Sequence, residues 1–294
     1  DSHSTFKMNN ATKNGGAINL LASAVTLDYV DFYDNTADNG GALYVGGNSE
    51  NNTVCNSNFI RNNATSYGGG IDWVASSGNI SDSNFTQNFA NVGGGIYLNG
   101  RSANSSITRV IFKENNATNN GGAIDLNATD GVVVNTEFTG NTAAYGGALC
   151  REEGAIGGSG SGNGFISNHA TKSGGALAWI GSKEINITNY FFYNNTAEVS
   201  GGAIYGGNES EICLIADSVF IENAVSNGQG GALYIVTGSA IIKNTTFTGN
   251  HAIDGGAIYA PNGAGNANVT NTTFYRNYAT NNGGAINLEA SAVT

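Results

Sequence analysis

The chain has 294 residues, with 22 Asp plus Glu against 11 Lys plus Arg, a formal net charge of −11, and 44 glycines. Charge this sparse and acidic argues against nucleic acid as a partner, and no apolar run approaches the ~20 residues of a membrane span. The three cysteines, Cys55, Cys150 and Cys213, occupy different phases of the repeat described next. The sequence therefore indicates no disulfide framework and no metal or cofactor site.

A repeat of 26–28 residues runs through the chain, and its first copy, residues 6–18, reads FKMNNATKNGGAI. Each copy has a Phe, an Asn three residues later, a Gly-rich pair and then an Ile or Leu. A fixed period of this length indicates a solenoid, and abundant Gly, Asn, Thr and β-branched residues oppose helix. The repeat Phe residues are Phe6, Phe32, Phe59, Phe85, Phe112, Phe138, Phe165, Phe192, Phe220, Phe247 and Phe274.

Two aliphatic columns accompany the Phe column. One follows the Gly pair, and the other lies five residues before each Phe, where only Gly160 fails. Strands of about five residues joined by corners fit this period, so we predict three strands per coil. The sequence therefore predicts an all-β fold, a right-handed parallel β-helix of about eleven coils. Because the repeat is unbroken, residues 1–294 are predicted to form one domain.

Polar positions in the repeat have structural interpretations. The Asn three residues after each Phe is expected to form a stacked amide ladder that also binds buried backbone in the corner. The Gly pair is expected to supply positive φ and close packing between coils. No Lys-Ser or Lys-Thr follows the pair, so it is not a phosphate-binding loop.

The pattern loosens at residues 150–164, CREEGAIGGSGSGNG, where columns fail at Arg151, Gly160 and Gly162. We interpret this segment as an irregular loop or bulge. Glu152 and Glu153 form a dense charge group beside Arg151, but neighbouring residues on a loop do not make an acid/base pair.

The two ends of the chain are similar to one another. Residues 9–26 and 277–294 are identical at 15 of 18 positions, ten coils apart. Open parallel edges carry unpaired N–H and C=O groups. We therefore expect a window of a longer array, or a filament subunit whose ends stack head to tail on copies of itself.

Asn-x-Ser/Thr sequons are about twice as frequent as chance predicts, so N-glycosylation is a hypothesis for this chain. Asn10, Asn63 and Asn116 share one corner in alternate coils, where sugars would form a row. The candidate sites are Asn10, Asn51, Asn63, Asn79, Asn84, Asn104, Asn116, Asn127, Asn186, Asn194, Asn208, Asn244, Asn268 and Asn271.

The position after each aliphatic residue points outward and holds Tyr205, Tyr234 and Tyr259 on successive coils. Such a ladder is typical of cross-strand packing. The alternative interpretation is an aromatic surface for sugar rings or for lateral packing against another rod.

Enzymes with this fold need clustered carboxylates on neighbouring coils. Asp72 and Asp125 share the outward column, but they lie two coils apart, about 10 Å, with Tyr97 between them. A second group of four acidic residues lies within one coil. Its members point to alternate faces of a strand or lie in a corner, so they are expected to form a solvated edge. That group is Asp28, Asp31, Asp34 and Asp38.

The paired FxxN and GGAI or GGAL motifs resemble those of chlamydial polymorphic membrane protein repeats. The Asn/Thr-rich coils resemble still more closely the adhesin-like surface proteins of methanogenic archaea. The resemblance covers the whole chain and implies an extracellular β-helical stalk at the cell surface, used for attachment or as envelope or fibre material. The expected partners are copies of this chain, through the head-to-tail stacking of open ends described above, and cell-surface glycans or other cells.

We therefore expect a structural or adhesive rod that is not an enzyme and that assembles end to end into fibres or stalks. The alternative is a carbohydrate-active β-helix enzyme, a polysaccharide lyase or hydrolase.

Overall fold

A computed structural model describes residues 3–21, 24–47, 49, 51–74, 77–100, 105–127, 129, 131–152, 160–181, 185–207, 212–236, 239–261 and 267–289. The regular structure in these residues is β throughout, and they include no helix that could cross a membrane. Each strand pairs in parallel with the equivalent strand of the next coil. The predicted all-β parallel β-helix is confirmed.

The strands that carry the repeat Phe form one eleven-stranded sheet, here called the Phe sheet. The Phe rings of successive coils stack with centroids 4.6–5.2 Å apart. From Phe32 to Phe247 these side chains are buried in the core. The strands are Ser4–Lys7, Val30–Tyr33, Asn58–Ile60, Asn84–Thr86, Ile111–Lys113, Glu137–Thr139, Gly164–Ile166, Phe191–Tyr193, Val219–Ile221, Thr246–Thr248 and Thr273–Tyr275.

The aliphatic column after the Gly pair lies in a second eleven-stranded sheet, here called the aliphatic sheet. Its inward residues pack against the Phe stack in one continuous core. The strands are Ile18–Leu20, Leu43–Val45, Ile71–Trp73, Ile96–Leu98, Ile124–Leu126, Leu149–Arg151, Leu177–Trp179, Ile204–Gly206, Leu233–Ile235, Ile258–Ala260 and Ile286–Leu288.

The third predicted strand, before the Phe, forms a sheet in two parts of five and four strands. Between the parts, Ser161 makes only an isolated bridge with Thr188. The first part contains Thr26–Asp28, Asn52–Cys55, Gly78–Ser81, Ser106–Thr108 and Val132–Val134. The second part contains Ile185–Thr188, Ile212–Ala216, Ser239–Lys243 and Ala267–Thr270.

A fourth, short strand follows the Asn column, in a segment where the repeat predicted a corner. Ten such strands form the corner sheet. Its register shifts by one residue between coils of different length, as at Ala90 and Val92. The strands are Thr36–Asn39, Asn63–Tyr67, Phe89–Val92, Asn116–Asn120, Thr142–Tyr145, His169–Ser173, Thr196–Ala197, Ala224–Val225, His251–Ala252 and Tyr278–Ala279.

The predicted Asn ladder and Gly roles are confirmed. Asn62 donates its backbone N–H and its side-chain amide to Oδ1 of Asn88, and its amide also reaches the carbonyl oxygen of Phe32. The first Gly of each pair has positive φ, as at Gly93, with φ of 64°. The second Gly packs against the next coil, so that a Cβ on Gly94 would lie 2.2 Å from the carbonyl oxygen of Gly122.

Part of the segment predicted to be irregular, residues 150–164, is regular in the structure. Arg151 ends a strand that pairs on both sides, and its inward side chain is buried and donates to the carbonyl oxygen of Gly131 at 3.2 Å. Position 160 accommodates only Gly, because a Cβ there would lie 1.9 Å from the carbonyl oxygen of Val133 and 2.6 Å from the Tyr190 hydroxyl. Gly164 already belongs to the Phe sheet, and residues 153–159 lie outside the described part of the chain.

Candidate functional site

One line of side chains runs along the outer face of the aliphatic sheet, at the position after each Ile or Leu. Strand register places its members directly above one another, and we call this line the outer row. As the sequence predicted, it holds both the acidic residues Asp72 and Asp125 and the Tyr residues. In order, its members are Asn19, Tyr44, Asp72, Tyr97, Asp125, Cys150, Ala178, Tyr205, Tyr234, Tyr259 and Asn287.

The middle of the outer row is buried, although its side chains point away from the hydrophobic core. Asp72 is 2% exposed, and Asp125 and Cys150 are 0% exposed. The turn at each Gly pair brings the residue before the pair beside the row, and Tyr67, for example, packs its ring 4.6 Å from that of Tyr97. An outward position on a flat sheet would be solvated. Here the corner sheet approaches closely and covers the middle of the outer row.

Asp125, Cys150 and Glu152 form a cluster that sequence reasoning did not assemble. One carboxylate oxygen from each acid and the Cys150 Sγ all lie within 4.8 Å of one another. The amides of Asn120 and Asn127 each donate to a different oxygen of Glu152. The signal that could have found the cluster is the shared repeat phase of Asp125 and Cys150, which register places side by side.

Burial dominates the electrostatics of these groups. It raises the pKa of the Asp125 carboxyl well above its ordinary value, and the charge of Glu152 raises it further. Burial likewise raises the pKa of the Cys150 thiol, with Asp125 and Glu152 adding to the effect. Two coils away, burial raises the pKa of Asp72 to about 8. No N–H or O–H group among the described residues donates to either Asp125 oxygen or to Oδ1 of Asp72. The Cys150 thiol bonds the Asp125 carboxyl and lowers its pKa by less than burial raises it.

The predicted Tyr ladder forms at the other end of the outer row. The ring centroids of Tyr205 and Tyr234 are 5.7 Å apart, and those of Tyr234 and Tyr259 are 5.2 Å apart. Tyr234 therefore has a neighbour on each ring face. Tyr259 is 6% exposed, and its hydroxyl donates to Glu289 at 2.7 Å. Binding of sugar rings or of another rod to this ladder stays a prediction.

An exposed apolar patch, which the sequence analysis did not identify, lies on the outer face of the Phe sheet. Phe191 is 40% exposed and Tyr193 is 38% exposed, on either side of the buried Phe192. Register places Val219 beside Phe191 and Ile221 beside Tyr193. The alternation of a strand could have revealed the patch, because the neighbours of an inward Phe must point outward.

The four acidic residues of the second coil do not share a site. Asp34 makes a two-point ion pair with Arg61, and Asp31 accepts from Asn58 at 2.7 Å. Asp28 and Asp38 likewise accept from side chains of the next coil. Each carboxylate joins two neighbouring coils, as expected for residues on a solvated edge.

Most sequon asparagines stand on the surface. The exposed ones are Asn10, Asn51, Asn63, Asn79, Asn116, Asn186, Asn194, Asn244, Asn268 and Asn271. Asn84 and Asn127 are half-buried, and Asn127 is engaged with Glu152. Asn104 and Asn208 lie outside the described residues. Glycosylation of these sites stays a prediction.

Part of the repeat described above matches known proteins. Four segments match the Chlamydia polymorphic membrane protein repeat. They are residues 109–126, 189–207, 244–261 and 271–289. Each contains a Phe strand, the Asn three residues later, the Gly pair and a strand of the aliphatic sheet. The chlamydial part of the resemblance is therefore confirmed for these segments.

A curated relative is the probable autotransporter YfaL of Escherichia coli strain K12, which is 28% identical over 95 residues. The match covers 30% of this chain and only 8% of the length of the relative. No solved structure matches the chain. Both similarities are to bacterial proteins, and the archaeal origin stays a prediction.

Proposed function

We propose that this chain is part of a surface-displayed β-helical rod with a structural or adhesive role and no catalytic activity. The observation that carries the proposal is the unbroken stack of Phe rings and buried Asn amides, which builds a rod. Four of its segments match a membrane-protein repeat. Eleven strands at a spacing of about 4.8 Å give a rod on the order of 50 Å long. The similarity to a probable autotransporter supports export to the cell surface.

Surface location is tested on intact cells of the native source. Antibodies against the 294-residue chain should label unpermeabilised cells, and external protease should remove the label. A cytoplasmic enzyme measured in the same samples controls for lysis. Labelling that requires permeabilisation would contradict the proposal.

Cells that lack the protein distinguish the two roles. If these cells attach less well than the wild type, the result supports the adhesive role. If they attach normally but have an altered envelope, the result supports the structural role.

The rod is also proposed to stack end to end on further coils of the same kind. Phe6 and Phe274 are only half-buried, whereas the Phe residues between them are fully covered. The polar ladder is complementary at the two ends. In each internal step an Asn donates to Oδ1 of the next Asn, so an Asn277 amide matches an Asn9 acceptor. The neighbouring coil is supplied by a second copy or by adjoining repeats of a longer array.

Sedimentation of the 294-residue chain over a range of concentrations tests the stacking. Phe6→Lys and Ile286→Lys place charge on opposite end faces and should keep the chain monomeric. Ile111→Lys is the matched control, because Ile111 is 45% exposed on the side of the rod. Association that persists in both end variants would favour lateral packing, and a wild-type chain that stays monomeric would contradict stacking of copies.

A further inference from the structure

The cluster at the middle of the outer row is built from atoms that bind metal ions. Asp125 contributes a carboxylate from one coil, and Cys150 and Glu152 contribute a thiol and a carboxylate from the next. The three ligand atoms lie within 4.8 Å of one another. Side-chain rotation that brings them to about 3.3–3.8 Å would hold one cation in tetrahedral geometry at metal-ligand distances of about 2.0–2.3 Å. Acidic residues are common without a metal, so proximity alone does not make a site.

A second observation points to a ligand. The Asp125 side chain is fully buried, and no N–H or O–H group among the described residues donates to either of its oxygens. The Cys150 thiol, a weak donor, is its hydrogen-bonding neighbour. An unpartnered buried carboxyl costs free energy unless something compensates it. The ion pairs between described residues lie elsewhere in the chain, at Asp34, Asp82, Glu114 and Glu198. A cation among the three ligands would supply the missing partner.

Glu152 is positioned for this role by its own neighbours. Asn120 comes from the corner sheet and Asn127 follows a strand of the aliphatic sheet, and each donates its amide to one Glu152 oxygen. Partners that hold a ligating carboxylate in place are typical of metal sites. Glu152 is half-buried, so it also provides the side from which an ion can enter.

We propose that Asp125, Cys150 and Glu152 form a divalent cation site that joins two neighbouring coils, with Zn²⁺ as the preferred class of ion. A thiolate with two carboxylates suits a borderline-soft ion. Ca²⁺ and Mg²⁺ prefer sets composed of oxygen ligands. Binding would release the thiol proton of Cys150 and the proton that burial keeps on the Asp125 carboxyl, and the cation would take the place of these protons.

The experiment is a Co²⁺ and Zn²⁺ titration of the reduced, metal-stripped 294-residue chain. A Cys55→Ser, Cys213→Ser variant, which leaves Cys150 as the only cysteine, should bind one equivalent of Co²⁺ with a thiolate-to-cobalt absorption band. Zn²⁺ should displace the Co²⁺ and raise the thermal midpoint. Absence of the band in both this variant and the wild type would overturn the proposal.

Two kinds of variant localise the site. Cys150→Ser should abolish the band, and Glu152→Gln, at a half-exposed position, should weaken binding while the fold stays intact by circular dichroism. Asn120→Ala should weaken Zn²⁺ binding by about 10- to 100-fold, because it frees Glu152. Zn²⁺ binding that is equally tight in folded Glu152→Gln and Cys150→Ser chains would place the ion elsewhere and overturn the assignment.

Discussion

Asn88 donates both its backbone N–H and its side-chain amide to Oδ1 of Asn115, at 3.0 and 2.9 Å. The same Asn115 donates its own amide to the carbonyl oxygen of Phe85, at 2.8 Å. Both asparagines are fully buried. One side chain therefore satisfies backbone groups of two residues in the core, and this explains why the repeat keeps Asn at this position.

Asn115→Ala is expected to destabilise the coils around it. The change leaves the buried N–H of Asn88 and the carbonyl of Phe85 without partners, at a cost of about 1–3 kcal/mol for each group. Hydrogen exchange should show faster exchange of the Asn88 amide than in the wild type. Asn119→Ala is the control, since exposed Asn119 bonds only the Asn91 side chain. Equal protection of Asn88 in both variants would contradict the ladder.

Gly94→Ala is expected to disrupt packing between coils, because the added Cβ would meet two backbone oxygens, 2.2 Å from that of Gly122 and 2.5 Å from that of Asn116. Gly164→Ala is the control. A Cβ there has nothing within 4 Å, and its φ is not in the left-handed region. We expect a large fall in thermal midpoint for the first variant and no fall for the second. Similar midpoints would mean that the coils can separate at little cost.

Two adjacent phenylalanines should respond very differently to truncation. Phe192 is 0% exposed within the ring stack, whereas Phe191 is 40% exposed on the opposite face. Phe192→Ala should cost about 3–5 kcal/mol, and Phe191→Ala should cost much less. Chemical denaturation of the two variants measures this difference. If Phe191→Ala cost more than Phe192→Ala, the result would show that Phe191, and not Phe192, faces the core.

Asp72 should make stability depend on pH. Its folded-state pKa of about 8, against an ordinary value of 3.8, means that the folded chain keeps a proton that the unfolded chain releases. Stability therefore falls as pH rises through this window, by up to about 1.4 kcal/mol per pH unit for one proton. It changes no further above the folded-state pKa.

Asp72→Asn should remove this contribution, so the difference in stability between variant and wild type should grow between pH 5 and 7, by roughly the amount that one proton contributes. Thermal unfolding across that range measures the difference. Asp38→Asn is the control, because hydrogen bonds from Thr65 and Ser66 lower the pKa of Asp38. Parallel stability curves for the Asp72→Asn variant and the wild type would contradict the burial of an ionisable carboxyl.

Several features of the fold could be predicted because they repeat. Stacking places equivalent residues of successive coils in contact and in the same environment. The Phe column, the Asn column and the Gly pair therefore recur in every coil, and this recurrence makes their structural roles predictable. The left-handed turn at Asn56 was predictable in the same way, since Asn tolerates positive φ. The turn two residues after the Phe was not, because Arg61 and Gln87 adopt positive φ there without a residue preference that marks it.

The candidate site could not be predicted to the same extent, since it depends on exceptions to the repeat. Arg151 and Gly160 break their columns, yet the core accommodates both, through the Gly131 carbonyl and the Tyr190 hydroxyl. The repeat pattern does not predict how the core accommodates a residue that breaks it. The cluster of Asp125 and Cys150 with Glu152 likewise needed the register of two coils and the path of the chain after Arg151.

The sequence by itself determined the class of fold and the residues that face the core, because a period of two within strands and of about 27 between coils leaves one way to bury the Phe and aliphatic columns. Only the tertiary structure decided which outward residues are solvated. Tyr259 and Asp125 are covered by neighbouring segments, whereas Phe191 is open. Burial outside the core depends on how closely corners and loops approach the sheet, and that distance is a property of the folded coil.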